Sequence, residues 1–166
     1  MNTPLRVGIL GTGRAGQCHA IAYSRLQGVK IAGLWNRTRA KAKKLAASLN
    51  QDNLKIYDNW RDLIQARQVD IVSITTDPIF RREPFLEALA KQKHILIEKP
   101  LSLNLSEAHE MSTVAKKTKT VTAISFNWRY SPACQTMRRA LQQQEIGQLL
   151  NTRSDWRLRI SSLRSW

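Results

Sequence analysis

Two cysteines, Cys18 and Cys134, are all that the 166-residue chain contains, and no C-x-x-C pair or Cys/His cluster accompanies them. Neither a disulfide scaffold nor a zinc site is therefore indicated. No run approaches the roughly 18 to 20 apolar residues that a membrane span needs, and Met1-Asn2-Thr3-Pro4 leads into an apolar run without a basic n-region or cleavage site. A cytoplasmic location without a membrane partner is the expectation. Internal repeats and low-complexity segments are absent. Acidic residues are scarce, 12 against 27 basic ones, for a net charge of +15. Such an excess suits nucleic acid, an anionic surface or a phosphorylated ligand, and alone does not choose among them. With 42% hydrophobic and 23% charged residues, the composition is that of a folded globular chain. At about 150 residues per domain, its length holds one domain with a little chain to spare.

Apolar runs of strand length alternate with helical patterns. Leu5–Leu10 reads as a buried strand, followed by a glycine turn and a helix over Ala15–Gln27, with Gly28 as the stop. Val29–Leu34 is a second strand, Thr38–Leu49 a basic helix and Leu54–Tyr57 a third, weaker strand. A short helix capped by Asp58 or Asn59 runs to about Ala66. Strands over Asp70–Thr75, His94–Ile97 and Val121–Phe126 then alternate with helices over Pro84–Lys91 and Ser106–Lys117. This order predicts a doubly wound α/β domain, a parallel sheet with helices on both faces. Ser131–Gln144 reads as a further helix ended by Gly147, and Leu149–Ile160 as a basic strand.

The segment Gly11-Thr12-Gly13-Arg14-Ala15-Gly16 is a G-x-G-x-x-G turn between a strand and a helix inside a β-α-β unit of about 30 residues, the context that gives the motif its meaning. Gly11 permits the tight turn, Gly13 lets a pyrophosphate approach the backbone, and Gly16 lets the helix pack on the strand. Free N–H groups at the helix start attract the anion. After the second strand stands Asn36-Arg37-Thr38-Arg39, where an NAD-binding domain normally presents an acid to the ribose. Arg37 can stack on adenine or pair with a 2′-phosphate, Thr38 can donate its hydroxyl, and Arg39 or Lys41 can add charge, so NADP is expected over NAD. Glu98-Lys99-Pro100 ends the His94–Ile97 strand at the carboxyl edge of the sheet, where Lys99 can hydrogen-bond a substrate hydroxyl or carbonyl.

The ordered set V-G-I-L-G-T-G-R-A-G, T-T-D-P, H-I-L-I-E-K-P, F-N-W-R-Y-S-P and E-I-G-Q-L resembles the N-terminal half of the Gfo/Idh/MocA oxidoreductases. The resemblance covers essentially the whole chain. It implies a Rossmann domain over residues 1–124, with residues 125–166 as the connector helix and first strand of a truncated substrate or oligomerisation domain. By the same resemblance Gly11, Gly13 and Gly16 bind the dinucleotide; Thr75, Thr76 and Pro78 line its nicotinamide side; Lys99 is the site lysine; and Asn127 and Arg129 lie near cofactor or substrate. Two departures stand out. Arg81 occupies a position where the family often has histidine, and no H-x-x-D-like segment follows. His19, His94 and His109 read as structural or solvated.

The expected activity is hydride transfer between a nicotinamide and a hydroxyl or carbonyl carbon of a small polyhydroxylated, sugar-like or cyclitol-like substrate. A non-catalytic dinucleotide-binding sensor or partner-binding protein is the alternative. Nothing resembles a nucleic-acid-binding signature, so no nucleic-acid partner is expected. Residues 148–166 offer an edge for a possible homo-oligomer.

Overall fold

A computed structural model describes residues 3–49, 54–153 and 155. The chain divides into two compact units, residues 1–126 and 127–166.

In the first unit, strands β1 (Leu5–Leu10), β2 (Val29–Trp35), β3 (Ile71–Ile74), β4 (His94–Ile97) and β5 (Thr122–Ile124) form one sheet in the order β2-β1-β3-β4-β5, with every pairing parallel. Parallel neighbours need crossover connections, and helices α1 (Arg14–Ser24), α2 (Arg39–Ser48), α3 (Trp60–Gln65), α4 (Arg82–Ala90) and α5 (Leu105–Lys116) supply them. The period-two alternation of strands divides β1 between two apolar clusters. Val7 and Ile9 join Ala20 of α1 and Ala42 and Leu45 of α2. Leu10 joins Leu63 of α3, Phe85 of α4 and Met111 of α5. The sheet is therefore covered on both faces, as the alternation predicts.

The weak third strand expected at Leu54–Tyr57 is reduced to a single parallel bridge between Ile56 and Leu34. Leu34 donates its N–H to the Lys55 carbonyl and accepts from Tyr57 N–H, each at 2.9 Å. Two residues later the chain turns, because Asn59 caps α3 by accepting from Arg61 N–H. Helix α1 ends at Ser24, three residues short of the expected Gln27, with Arg25 as its C-cap. Helix α4 begins two residues before Pro84, after a 3-10 turn at Pro78–Phe80. Pro84 is tolerated there because first-turn N–H groups lack intrahelical partners.

In the second unit a 3-10 turn, Asn127–Tyr130, precedes helix α6 (Pro132–Gln142), which Ser131 caps by accepting from Cys134 N–H. Within the expected strand over Leu149–Ile160, residues 149–153 are irregular, and the rest lies outside the described residues except residue 155, which is likewise irregular. Nearly all of the expected oligomer edge from residue 154 onward lies outside them too. Among the described residues no helix is long and apolar enough to cross a membrane, and both cysteines are free thiols.

Candidate functional site

The carboxyl ends of β1, β2, β3 and β4 bring most of the predicted residues to one edge of the sheet. Gly11 follows β1 with φ +94°, a left-handed backbone that favours glycine, and a Cβ there would stand 2.9 Å from the Thr75 carbonyl carbon. Gly16 faces back on the turn so closely that a Cβ would meet the Gly11 oxygen at 2.1 Å. Helix α1 thus starts tight against β1. Gly13, its N-cap, has open space where a Cβ would be, and no side chain caps the helix. The N–H groups of Arg14, Ala15 and Gly16 are left for an anion at the positive end of the helix. Thr12 is buried, its N–H held by Asn36 Oδ1 at 2.9 Å while its hydroxyl has no partner.

Beyond β2, residues Asn36, Arg37, Thr38 and Lys41 face a cavity of about 450 Å³, closed opposite by Ile79 and Phe80. The Arg37 guanidinium lies 5.3 Å over the Phe80 ring, while Thr38, the N-cap of α2, leaves its hydroxyl uncommitted to the helix. Arg39, expected to add charge here, instead pairs with Asp58. The far wall carries acids that the sequence reading did not place: Asp77, Glu83 and Glu107. Each is engaged locally. Asp77 accepts from Ile79 N–H, Glu83 pairs with Arg61 at 3.2 Å, and Glu107 accepts from the Ser102 hydroxyl at 2.6 Å.

The edges of β3 and β4 complete the cleft. Thr75 donates its hydroxyl to the carbonyls of Leu10 and Gly11, at 3.0 and 2.8 Å, so this side chain braces the glycine turn. The Thr76 hydroxyl is buried without a partner, and Pro78 opens the 3-10 turn. Lys99 is exposed just past β4 and its N–H donates to Glu98 Oε2 at 3.1 Å. Glu98 Oε1 meets His19 Nε2 at 3.1 Å, and the other ring nitrogen of His19 lies 2.8 Å from the Ser73 hydroxyl. His19, read from the sequence as structural or solvated, thus joins α1 to β3 and the end of β4. Its signal is the i, i+3 spacing from Gly16, which puts both on the sheet-facing side of α1.

Arg81 is buried as well, its guanidinium donating to the carbonyls of Thr76, Glu98 and Pro100. Burial pulls its pKa below the ordinary value, against the opposing charges of Glu98 and Asp77. His94 stands at the start of β4, the other edge of the sheet, accepting from Val121 N–H, and His109 is exposed on α5. Asn127 and Arg129 belong to the second unit. Asn127 Oδ1 accepts from Trp128 N–H there, and the Arg129 carbonyl accepts from Gln135. No group of three or more His, Cys, Asp or Glu side chains among the described residues could hold a metal ion.

A glycine turn cradling a helix N-terminus, beside a cavity at the end of β2 and buried hydroxyls without partners, fits the pyrophosphate and adenosine half of a dinucleotide. These features and the strand order define a dinucleotide-binding Rossmann domain. The chain belongs to the Gfo/Idh/MocA oxidoreductase family with an NAD-binding Rossmann fold, whose sequence model matches residues 5–126. It is 30% identical over 164 residues to an uncharacterized oxidoreductase of Synechocystis, a match covering 98% of this chain and 44% of that protein. To glucose-6-phosphate 3-dehydrogenase of Bacillus subtilis it is 29% identical, over 88% of this chain and 40% of that enzyme. The crystal structure of myo-inositol 2-dehydrogenase from Lactobacillus plantarum superposes with a TM-score of 0.81 at 26% identity, covering 89% of this chain and 43% of the other. The chain thus spans less than half the length of these relatives.

Proposed function

We propose that these residues form the cofactor part of an NADP-dependent dehydrogenase acting on a hydroxyl or carbonyl carbon of a sugar-like or cyclitol-like substrate. The observation that carries the cofactor preference is the wall after β2. Asn36 spends its side-chain oxygen on Thr12 N–H, and Arg37, Thr38 and Lys41 face the cavity with no carboxylate among them. A ribose 2′-phosphate meets two cations and a hydroxyl there, whereas the acids of the opposite wall already have partners. The substrate class rests on relatives that are a glucose-6-phosphate 3-dehydrogenase and a myo-inositol 2-dehydrogenase.

In this reading the N–H groups at the start of α1 hold the pyrophosphate, and Arg37 holds the adenosine end while Phe80 supports its guanidinium. When bound, the dinucleotide supplies the hydride acceptor or donor. Lys99, exposed at the end of β4, hydrogen-bonds the substrate oxygen and stabilises the charge that develops there. Asn127 and Arg129 are proposed to contribute from the second unit, and residues 125–166 to begin the substrate domain. The test is calorimetric titration of the chain with NADP and NAD. A charge-assisted contact contributes about 1.5 to 3 kcal/mol, so NADP should bind about tenfold to a hundredfold more tightly, and Arg37→Ala should erase most of the difference. Equal affinities, or a preference for NAD that survives Arg37→Ala, would refute the assignment.

A further inference from the structure

One buried cation joins the loop after β3 to the loop that carries Lys99. Arg81 is 4% exposed and stands at the N-cap of α4. Its Nε donates to the Thr76 carbonyl at 2.8 Å, and its Nη1 donates to the carbonyls of Glu98 and Pro100. None of the ion pairs among the described residues includes it. Three carbonyl dipoles and the nearby charges of Glu98 and Asp77 stabilise a group whose burial would otherwise be costly. A guanidinium is planar and its donors keep a fixed mutual geometry. Bonding both loops at once therefore fixes the spacing between the end of β3 and the end of β4.

The strand order says what that spacing serves. With pyrophosphate at the start of α1 and adenosine beyond β2, a dinucleotide must extend its other half across β1 toward β3 and β4. Thr76 and Lys99 stand on that side, and Arg81 joins the Thr76 carbonyl to the carbonyls of Glu98 and Pro100, the neighbours of Lys99. His19 holds the Glu98 side chain, leaving the backbone carbonyls to Arg81.

We propose that Arg81 is a positioning residue for the nicotinamide half of the cleft, locking the Thr76 loop to Glu98-Lys99-Pro100 so that Lys99 is in place before the cofactor arrives. The inference rests on the dinucleotide-binding reading above. Arg81→Gln removes the fork, and Arg81→Lys keeps the charge without it. Both are made in the 166-residue chain and examined first without ligand, by amide hydrogen exchange at Ile79, Phe80, Glu98 and Lys99, the hydrogen-bonded amides of the two loops. In Arg81→Gln these amides should exchange about tenfold faster while the amides of β1 keep their protection. Titration with NADPH and with 2′,5′-ADP, which has the adenosine half alone, then separates the two ends of the cleft. NADPH should weaken about tenfold in Arg81→Gln and 2′,5′-ADP by less than about twofold, with Arg81→Lys between wild type and Arg81→Gln in both measurements. Unchanged exchange at the four amides, equal weakening of both ligands, or loss of protection throughout β1 would each overturn the proposal. If the wild-type chain binds neither ligand, the dinucleotide reading fails, and the exchange comparison still decides the role of Arg81. Should Arg81→Gln fail to fold, Arg81→Lys carries the same comparison.

Discussion

Gly16 shows how one missing carbon positions a binding site. A Cβ would stand 2.1 Å from the Gly11 oxygen, so Gly16→Ala must push α1 away from the turn, and overpacking of this kind costs about 1 to 3 kcal/mol. Denaturant unfolding should show that loss, and NADPH titration a weakening beyond it, because the displaced N–H groups no longer point at the pyrophosphate. A variant with wild-type affinity would mean the turn does not hold the phosphate. Far from the cleft, Arg6 grips Asp70 with Nε and Nη2 at 2.9 and 2.8 Å, and its backbone N–H adds a third bond. These contacts hold the Asp70 pKa below the usual carboxylate range. Folding is therefore favoured above that usual range, and the contribution is lost as pH falls through the depressed native pKa. Asp70→Asn should melt lower than wild type near neutrality, with the two curves converging in acid; parallel curves would exclude this linkage. At this scale the glycines were legible because each acts through its own backbone. The partners of Arg39 and Arg81 were not, since Arg39 ends on Asp58, 19 positions away, and Arg81 reaches past nearby Thr76 to Glu98 and Pro100, 17 and 19 positions away.

At the scale of elements, the site is assembled from strand ends and one helix start, and the residue proposed to act on substrate, Lys99, follows β4. Lys99 stands beyond the last ladder residue, Ile97, and points its side chain into solvent while Glu98 and Pro100 are tied down by His19 and Arg81. Lys99→Ala should leave the melting temperature and, within about threefold, NADPH affinity unchanged, while cutting turnover in a form of the enzyme that turns over substrate. Unchanged turnover would reduce the tripeptide to a strand end. The element sequence was readable because buried strands and amphipathic helices leave different periods. Leu54–Tyr57 escaped that logic. Its apolar residues suit a strand, yet Leu34 offers it one bridge before Asn59 commits the chain to α3. Helix α4 starts ahead of Pro84 for a related reason: proline reads as a boundary, but three-dimensional context lets it sit inside a first turn.

At the scale of the whole molecule, residues 5–126 match the family's NAD-binding domain, and among the described residues of the first unit Lys99 is the one proposed catalytic group. Hydride transfer also needs a substrate held at near-attack distance, and losing such positioning forfeits about 7 to 11 kcal/mol of barrier lowering. The 166 residues alone should therefore bind NADPH, detected by fluorescence, without changing nicotinamide absorbance in the presence of polyols, sugars or inositols. Robust turnover of any of these would overturn that expectation. The alternation of strands and helices, the glycine turn and the lack of an acid at residues 36–39 were determined by the sequence itself, because each is written in neighbouring residues or in a short period. Only the tertiary structure decided that Arg39 turns to Asp58, that Thr75 braces the glycine turn, that His19 reaches Glu98 across 79 residues, and that Arg81 bonds two loops at once. The physical reason is that a long polar side chain takes whichever partner packing brings within about 3 Å, and packing joins residues whose separation along the chain carries no signal.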